Sequence, residues 1–193
     1  SLTFNDYLLF VKKYIEEILK KEKVKKIVLI GHSFGGRIGI YLSALYPDMI
    51  DSLVLTGASG ISRSLPSLRK RIVFILTKIF RPIFLLPFIS SFYRLFRKAV
   101  YYSIGEMDYY KAGKLSETFK NVYKVSVLDE LKKIHIPTLI VWGSLDTITP
   151  LDDARKMHEG IKGSKLVFVK NATHKLPYQM PIDFSTIILE FIK

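Results

Sequence analysis

Two spacings of apolar residues alternate along this chain, one helical and one extended. Between residues 3 and 22, Phe4, Leu8, Val11, Ile15, Ile18 and Leu19 recur at helical intervals, and Thr3 with Asp6 forms a capping-box pattern at the front. Lys25 and Lys26 then introduce IVLI, 27–30, a short run without polar positions that suits a strand buried on both faces. Gly31 to Gly36 reads as a tight turn, and residues 34–46 as a second helix stopped by Pro47. Three more apolar runs follow: SLVLTG at 52–57, PTLIVWG at 137–143 and KLVFVK at 165–170. Helical spacing returns near 151–161 and 181–192. Apolar strands alternating with helices predict an α/β fold, a mostly parallel sheet of about four strands with flanking helices.

The interval between the second and third strands breaks this rhythm. Residues 61–103 carry Arg63, Arg69, Lys70, Arg71, Lys78, Arg81, Arg94, Arg97 and Lys98, and no acid. Within it lies IVFILTKIFRPIFLLPFISSF, 72–92, interrupted by Lys78, Arg81, Pro82 and Pro87. A membrane span needs about 20 apolar residues without such breaks. The segment reads instead as short helices packed over the domain. No repeat or low-complexity tract appears.

A length of 193 residues allows one well-buried domain and excludes two ordinary ones. The absence of cysteine removes disulfides, thiolate zinc sites and cysteine nucleophiles. His32, His135, His158 and His174 have no metal-ligand spacing, so neither a metal nor a cofactor is expected. The formal charge of +13 fits nucleic acid, an anionic membrane surface, an acidic partner or simply a solvated lysine surface. No nucleic-acid motif with interleaved aromatics stands out, which places membrane contact above nucleic acid. No secretory signal is visible, and the expected location is cytoplasmic, with attachment to the membrane periphery as an option. The chain opens on Ser1 rather than methionine, so a missing natural N-terminus is one expectation.

The candidate chemistry sits in KKIVLIGHSFGGRIGIYLSALYP, residues 25–47. Glycine, any, serine, any, glycine is a weak pattern alone; its context discriminates. A nucleophile elbow needs a buried strand running straight into a helix, with the serine at a strained apex. Small flanking residues leave room for that turn. IVLI leads into Ser33, Gly31 and Gly35 flank it, and the helix follows at once. The helix N-terminus adds unpaired amides and the positive end of its dipole. A phosphate-binding glycine turn would need glycine at position 33, and a P-loop would end Gly-Lys-Ser/Thr; neither is present.

A serine hydroxyl needs a base, and the base an orienting acid. His32 adjoins Ser33, so its side chain should point away from the serine. His158 lies inside a helical stretch, where a surface role is the default. His135 precedes the third strand, at the wrong end of the sheet. His174, in NATHKLP, follows the fourth strand at its exit end, where ligand-facing loops gather in open parallel sheets. In WGSLDTITP, Asp146 follows the adjacent third strand, whereas Asp152 and Asp153 suit the start of the next helix. Serine, aspartate, histidine is the chain order this architecture expects.

With GHSFGG, WGSLDTITP and NATHKLPYQMP in place, the sequence resembles the α/β-hydrolase family, serine-nucleophile and capped type. The resemblance implies Ser33 as nucleophile, His174 as general base and Asp146 as its orienting acid, with the amide of Phe34 supplying one oxyanion donor. It implies a core of residues 1–60 and 134–193 and a helical cap insertion of 61–133. The apolar, aromatic-rich cap suggests a hydrophobic substrate. The family also places four strands and a histidine-glycine oxyanion loop before the elbow helix, and this chain begins with that helix. The expectation is a partial α/β-hydrolase fold lacking a second oxyanion donor, with IVLI as an open apolar edge. The chain is then a fragment, is completed by another chain such as a second copy pairing along that edge, or is a minimal variant of reduced or no activity. The resulting function is a serine hydrolase of a small apolar ester-like or related carbonyl substrate. The alternative is a non-catalytic binding or membrane-surface module, supported by the basic, aromatic insertion, which could dock on anionic lipid.

Overall fold

The computed structural model describes residues 1–61, 96, 98–99, 102 and 116–193. The cap helices expected across 61–103, and with them the proposed lipid-docking surface, lie largely outside the described residues. The chain forms two compact units: Leu2–Ser62 with Lys124–Lys193, and one chiefly of Arg63–Tyr123. From the second unit the structure describes the helix α3, Ser116–Tyr123.

The larger unit is built as the apolar spacing predicts. Helix α1, Phe4–Glu22, opens on Thr3, whose hydroxyl accepts from the Asp6 amide while the Asp6 carboxylate accepts from the Thr3 amide at 2.7 Å. This is the capping box expected from the sequence, and such caps contribute about 1 kcal/mol. Lys23, left-handed at φ 55°, ends the helix. Phe4, Leu8 and Ile15 form its buried stripe, the inner part of the apolar series read from spacing. Strand β1, Ile27–His32, leads through Ser33 into α2, Phe34–Leu45; a short 3₁₀ turn at Pro47–Met49 precedes β2, Ile50–Thr56. The remaining elements are α4, Leu128–Leu131, β3, Thr138–Gly143, α5, Leu151–Gly160, β4, Lys165–Val169, α6, Leu176–Gln179, and α7, Pro181–Phe191.

The four strands lie in the order β1-β2-β3-β4, and all pairs are parallel. A parallel sheet needs a cover on each face. One face packs Leu53, Leu55, Ile140 and Trp142 against Ile40 of α2 and Ala154 and Met157 of α5. The other packs Val54, Leu139 and Val141 against Leu176 of α6 and Phe184 and Ile188 of α7. Val127 and Leu131, in the segment read from sequence as part of the insertion, are fully buried in the first of these clusters.

One local expectation fails. The unbroken apolar run IVLI predicts burial on both faces, yet Val28 and Ile30 are 36% and 50% exposed while Leu29 packs against the core. Among the described residues β1 pairs with β2 alone, as the edge position that the family resemblance implied. Among the described residues no helix is long and apolar enough to cross a membrane.

Candidate active site

All four strands deliver their C-terminal ends to one rim, so the loops after them converge. Ser33 stands at the junction of β1 and α2 with φ 53° and ψ −116°, a backbone pose that L side chains rarely adopt. Surrounding bonds hold it there. The Ser33 amide donates to the Thr56 carbonyl at the end of β2, 3.1 Å. The Ser33 carbonyl accepts from the amides of Gly36, Arg37 and Ser59 at 3.1, 3.3 and 3.1 Å. Strain of about 1–3 kcal/mol persists only where neighbours over-determine it in this way.

The glycines divide differently from the sequence reading. A Cβ on Gly31 would stand 2.7 Å from Gly36 Cα, and one on Gly36 would stand 2.5 Å from Ala58 Cβ. A Cβ on Gly35 would meet nothing within 4 Å. Gly31 is required for room, as expected; Gly35 is not, and Gly36 takes its place because the loop after β2 passes against the first turn of α2.

Phe34 follows the apex as the first residue of α2. Its ring is fixed edge-on against Phe4 at 6.2 Å and Tyr7 at 5.4 Å between centroids, which ties the elbow to α1. Gly36 and Arg37 spend their amide hydrogens on the Ser33 carbonyl, whereas among the described residues no backbone acceptor takes that of Phe34.

Asp146 lies in the tight turn after β3. Its carboxylate is buried and accepts four hydrogen bonds: the Ile148 and Thr149 amides to Oδ1 at 2.8 and 2.9 Å, and the Thr149 hydroxyl and His174 Nδ1 to Oδ2 at 2.7 and 2.9 Å. The His174 ring is 12% exposed and comes from the loop after β4. Gly143 lets the two loops touch, since a Cβ there would stand 2.5 Å from the carbonyl oxygens of Ala172 and Thr173. The Leu145 amide donates to the Ala172 carbonyl at 2.8 Å.

Burial pushes the Asp146 carboxyl up, but the hydrogen bonds from His174, Thr149 and Ile148 outweigh it and hold the group below the ordinary carboxylate value. A carboxyl lowered on folding adds stability above its unfolded pKa of about 4 and loses it as pH falls through the folded value. Urea unfolding midpoints are expected to drop below pH about 4 in the parent chain, and to drop less steeply in Asp146→Asn. Equal acid slopes in the two proteins would contradict this.

The structure brings Asp146 and His174 into contact, and Ser33 stands on the same rim at the end of β1. Gly57, directly after β2 at φ 52°, lies under the pair: a Cβ there would stand 2.9 Å from His174 Cε1 and Nδ1 and 3.4 Å from Asp146 Oδ2. His32 and Thr56, which flank Ser33 and Gly57, are register partners. Among the described residues no hydrogen bond joins Ser33 Oγ to the His174 ring. Free enzymes often hold such bonds long until substrate closes them. His135 is exposed ahead of β3, and His158 Nδ1 pairs with Ser164 Oγ at 2.8 Å, so both stay away from this rim. No described group of acidic or histidine side chains could hold a metal ion.

Three contributors were missed. The His32 side chain reaches the loop after β4, its Nε2 donating to the His174 carbonyl at 2.9 Å with the two rings 4.8 Å apart. Thr149 braces Asp146. Gly57 provides the floor, and its only signal in sequence was a glycine immediately after a buried strand. Gly57→Ala is expected to push the His174 ring aside and slow covalent labelling of Ser33 by about 10²-fold, the usual effect of a 1 Å misplacement. Left-handed strain adds about 1–2 kcal/mol of destabilisation. Labelling kinetics and urea unfolding measure both, and an unchanged labelling rate would remove Gly57 from the site.

A family model described as serine aminopeptidase, S33, matches residues 2–179. The chain is 28% identical to a proline iminopeptidase of Saccharolobus solfataricus over 86% of its own length and 62% of that protein. It is also 28% identical to the pimeloyl-[acyl-carrier protein] methyl ester esterase of Wigglesworthia glossinidia brevipalpis, over 93% of its length and 74% of that protein. Its fold matches the crystal structure of the enol-lactonase from Burkholderia xenovorans LB400 with a TM-score of 0.64 at 18% identity, covering 99% of this chain and 73% of that one. The chain spans about two thirds of the length of these hydrolase relatives. Its elbow, its rim of loops and the matched segment agree: the chain belongs to the serine aminopeptidase S33 family of α/β hydrolases.

Proposed function

We propose that the chain is a serine hydrolase of an apolar ester-like or related carbonyl substrate, with Ser33, His174 and Asp146 as its triad. The observation that carries this reading is the 2.9 Å bond between His174 Nδ1 and buried Asp146 Oδ2, on the rim where Ser33 stands at a strained strand-to-helix apex. With its proton on Nδ1, the imidazole keeps a lone pair on Nε2. Ser33 Oγ attacks the substrate carbonyl as Nε2 takes its proton, and the Phe34 amide donates to the developing oxyanion. Collapse expels the leaving group, protonated by His174, and leaves an acyl-serine that water opens by the same route. Residues 61–133 are read as the cap insertion, and their apolar, aromatic composition supports an apolar acyl or alkyl group. A methyl ester esterase and an enol-lactonase among the similar proteins support the ester-like class.

A fluorophosphonate probe tests the proposal. Native protein is expected to take up one probe per chain, on the peptide that contains Ser33, with faster turnover of longer-chain than of acetyl p-nitrophenyl esters. No labelling of the native chain, or labelling on another serine, would favour a non-catalytic binding module.

A further inference from the structure

Thr149 is buried, and every polar atom it owns is committed. Its amide donates to Asp146 Oδ1 at 2.9 Å, and its carbonyl accepts from Trp142 Nε1 at 3.1 Å. Its hydroxyl lies 2.7 Å from Asp146 Oδ2 and 3.1 Å from His174 Nδ1. Trp142 is fully buried in β3, so the Thr149 backbone is anchored to the sheet. The hydroxyl therefore occupies a fixed point between the carboxylate and the imidazole.

Counting protons there leaves one consistent arrangement. The hydroxyl has one hydrogen and accepts with its lone pairs. Donated to Asp146 Oδ2, that hydrogen leaves the oxygen free to accept from His174 Nδ1–H, which it shares with the carboxylate. Donated instead to a bare Nδ1, it would leave the lone pairs of that nitrogen and of Oδ2 facing each other at 2.9 Å without a proton between them. Asp146 is then filled, two donors on each oxygen, and cannot swing to another partner.

We propose that Thr149 is a positioning residue whose hydroxyl holds the His174 imidazole in its Nδ1–H form and keeps Nε2 open toward Ser33. This deepens the triad reading above and rests on it. Valine at this position keeps the shape of threonine and removes the hydroxyl, so one lone pair of a buried carboxylate loses its donor.

The test compares the parent chain with Thr149→Val, Thr149→Ala and Thr149→Ser. Nitrogen-15 NMR of the labelled imidazole reads the tautomer, and fluorophosphonate labelling rates read the serine; circular dichroism checks each fold. The parent is expected to show Nδ1–H. Val and Ala variants are expected to gain the Nε2–H form and to label about tenfold more slowly, the effect of one lost hydrogen bond. The Ser variant is expected to restore both. Parent-like spectra and rates in Thr149→Val, or a Ser variant as impaired as Val, would overturn the proposal. So would loss of fold in both Val and Ala variants, which would make the role structural. If the parent chain does not react with the probe, the hydrolase reading fails, and the tautomer comparison alone decides for or against Thr149.

Discussion

Replacing Ser33 by alanine is expected to abolish fluorophosphonate labelling and to lower ester turnover by about 10⁶-fold, the loss seen when a triad nucleophile is removed. The reasoning is local. Among the described residues the Ser33 side chain makes no hydrogen bond, so its hydroxyl contributes little to the fold. The bonds that hold the apex use its main chain: the amide to Thr56, and the carbonyl to Gly36, Arg37 and Ser59. Alanine keeps all of them and meets the same left-handed strain that serine does. Thermal unfolding should therefore barely move while the chemistry disappears. Persistent labelling of the Ser33→Ala protein would place the reactive group elsewhere.

Asp146→Asn is expected to keep the fold and lower the labelling rate by about 10⁴-fold, as an inverted imidazole tautomer does in serine hydrolases. The direction follows from the donors around the carboxylate. Two of them, the Ile148 and Thr149 amides, are main-chain groups that cannot reverse, so the single carbonyl oxygen of asparagine must face them. The NH₂ then faces Thr149 Oγ1 and His174 Nδ1 and donates to both. A nitrogen that accepts at Nδ1 must carry its proton on Nε2, the atom needed to receive the serine proton. The rate should fall without a comparable change in urea stability at neutral pH. A loss below tenfold would mean that Asp146 does not orient His174.

Much of this is legible in the amino-acid sequence itself. The central strands β2 and β3 were visible because a parallel strand covered on both faces is a nearly unbroken apolar run, and α1 because Phe4, Leu8 and Ile15 recur on one stripe. His174 and Asp146 were legible by position: each follows a strand at its exit end, and β3 and β4 are neighbours. What escaped depends on which segments approach one another. Gly36 rather than Gly35 yields room because Ala58 passes it, and sheet pairing decides that, not motif spacing. His32 looked idle from its adjacency to Ser33, yet its ring meets the carbonyl of a residue 142 positions away. The exposure of Val28 and Ile30 is a property of what lies beside a strand, which the strand's own letters do not carry.

The left-handed backbone at Ser33 sets the interests of folding and of reaction against each other. Glycine would relax that pose, since it accepts positive φ readily, but it would bring no hydroxyl to the rim. Any gain in durability from glycine here would come at the expense of the hydroxyl that the proposed reaction needs.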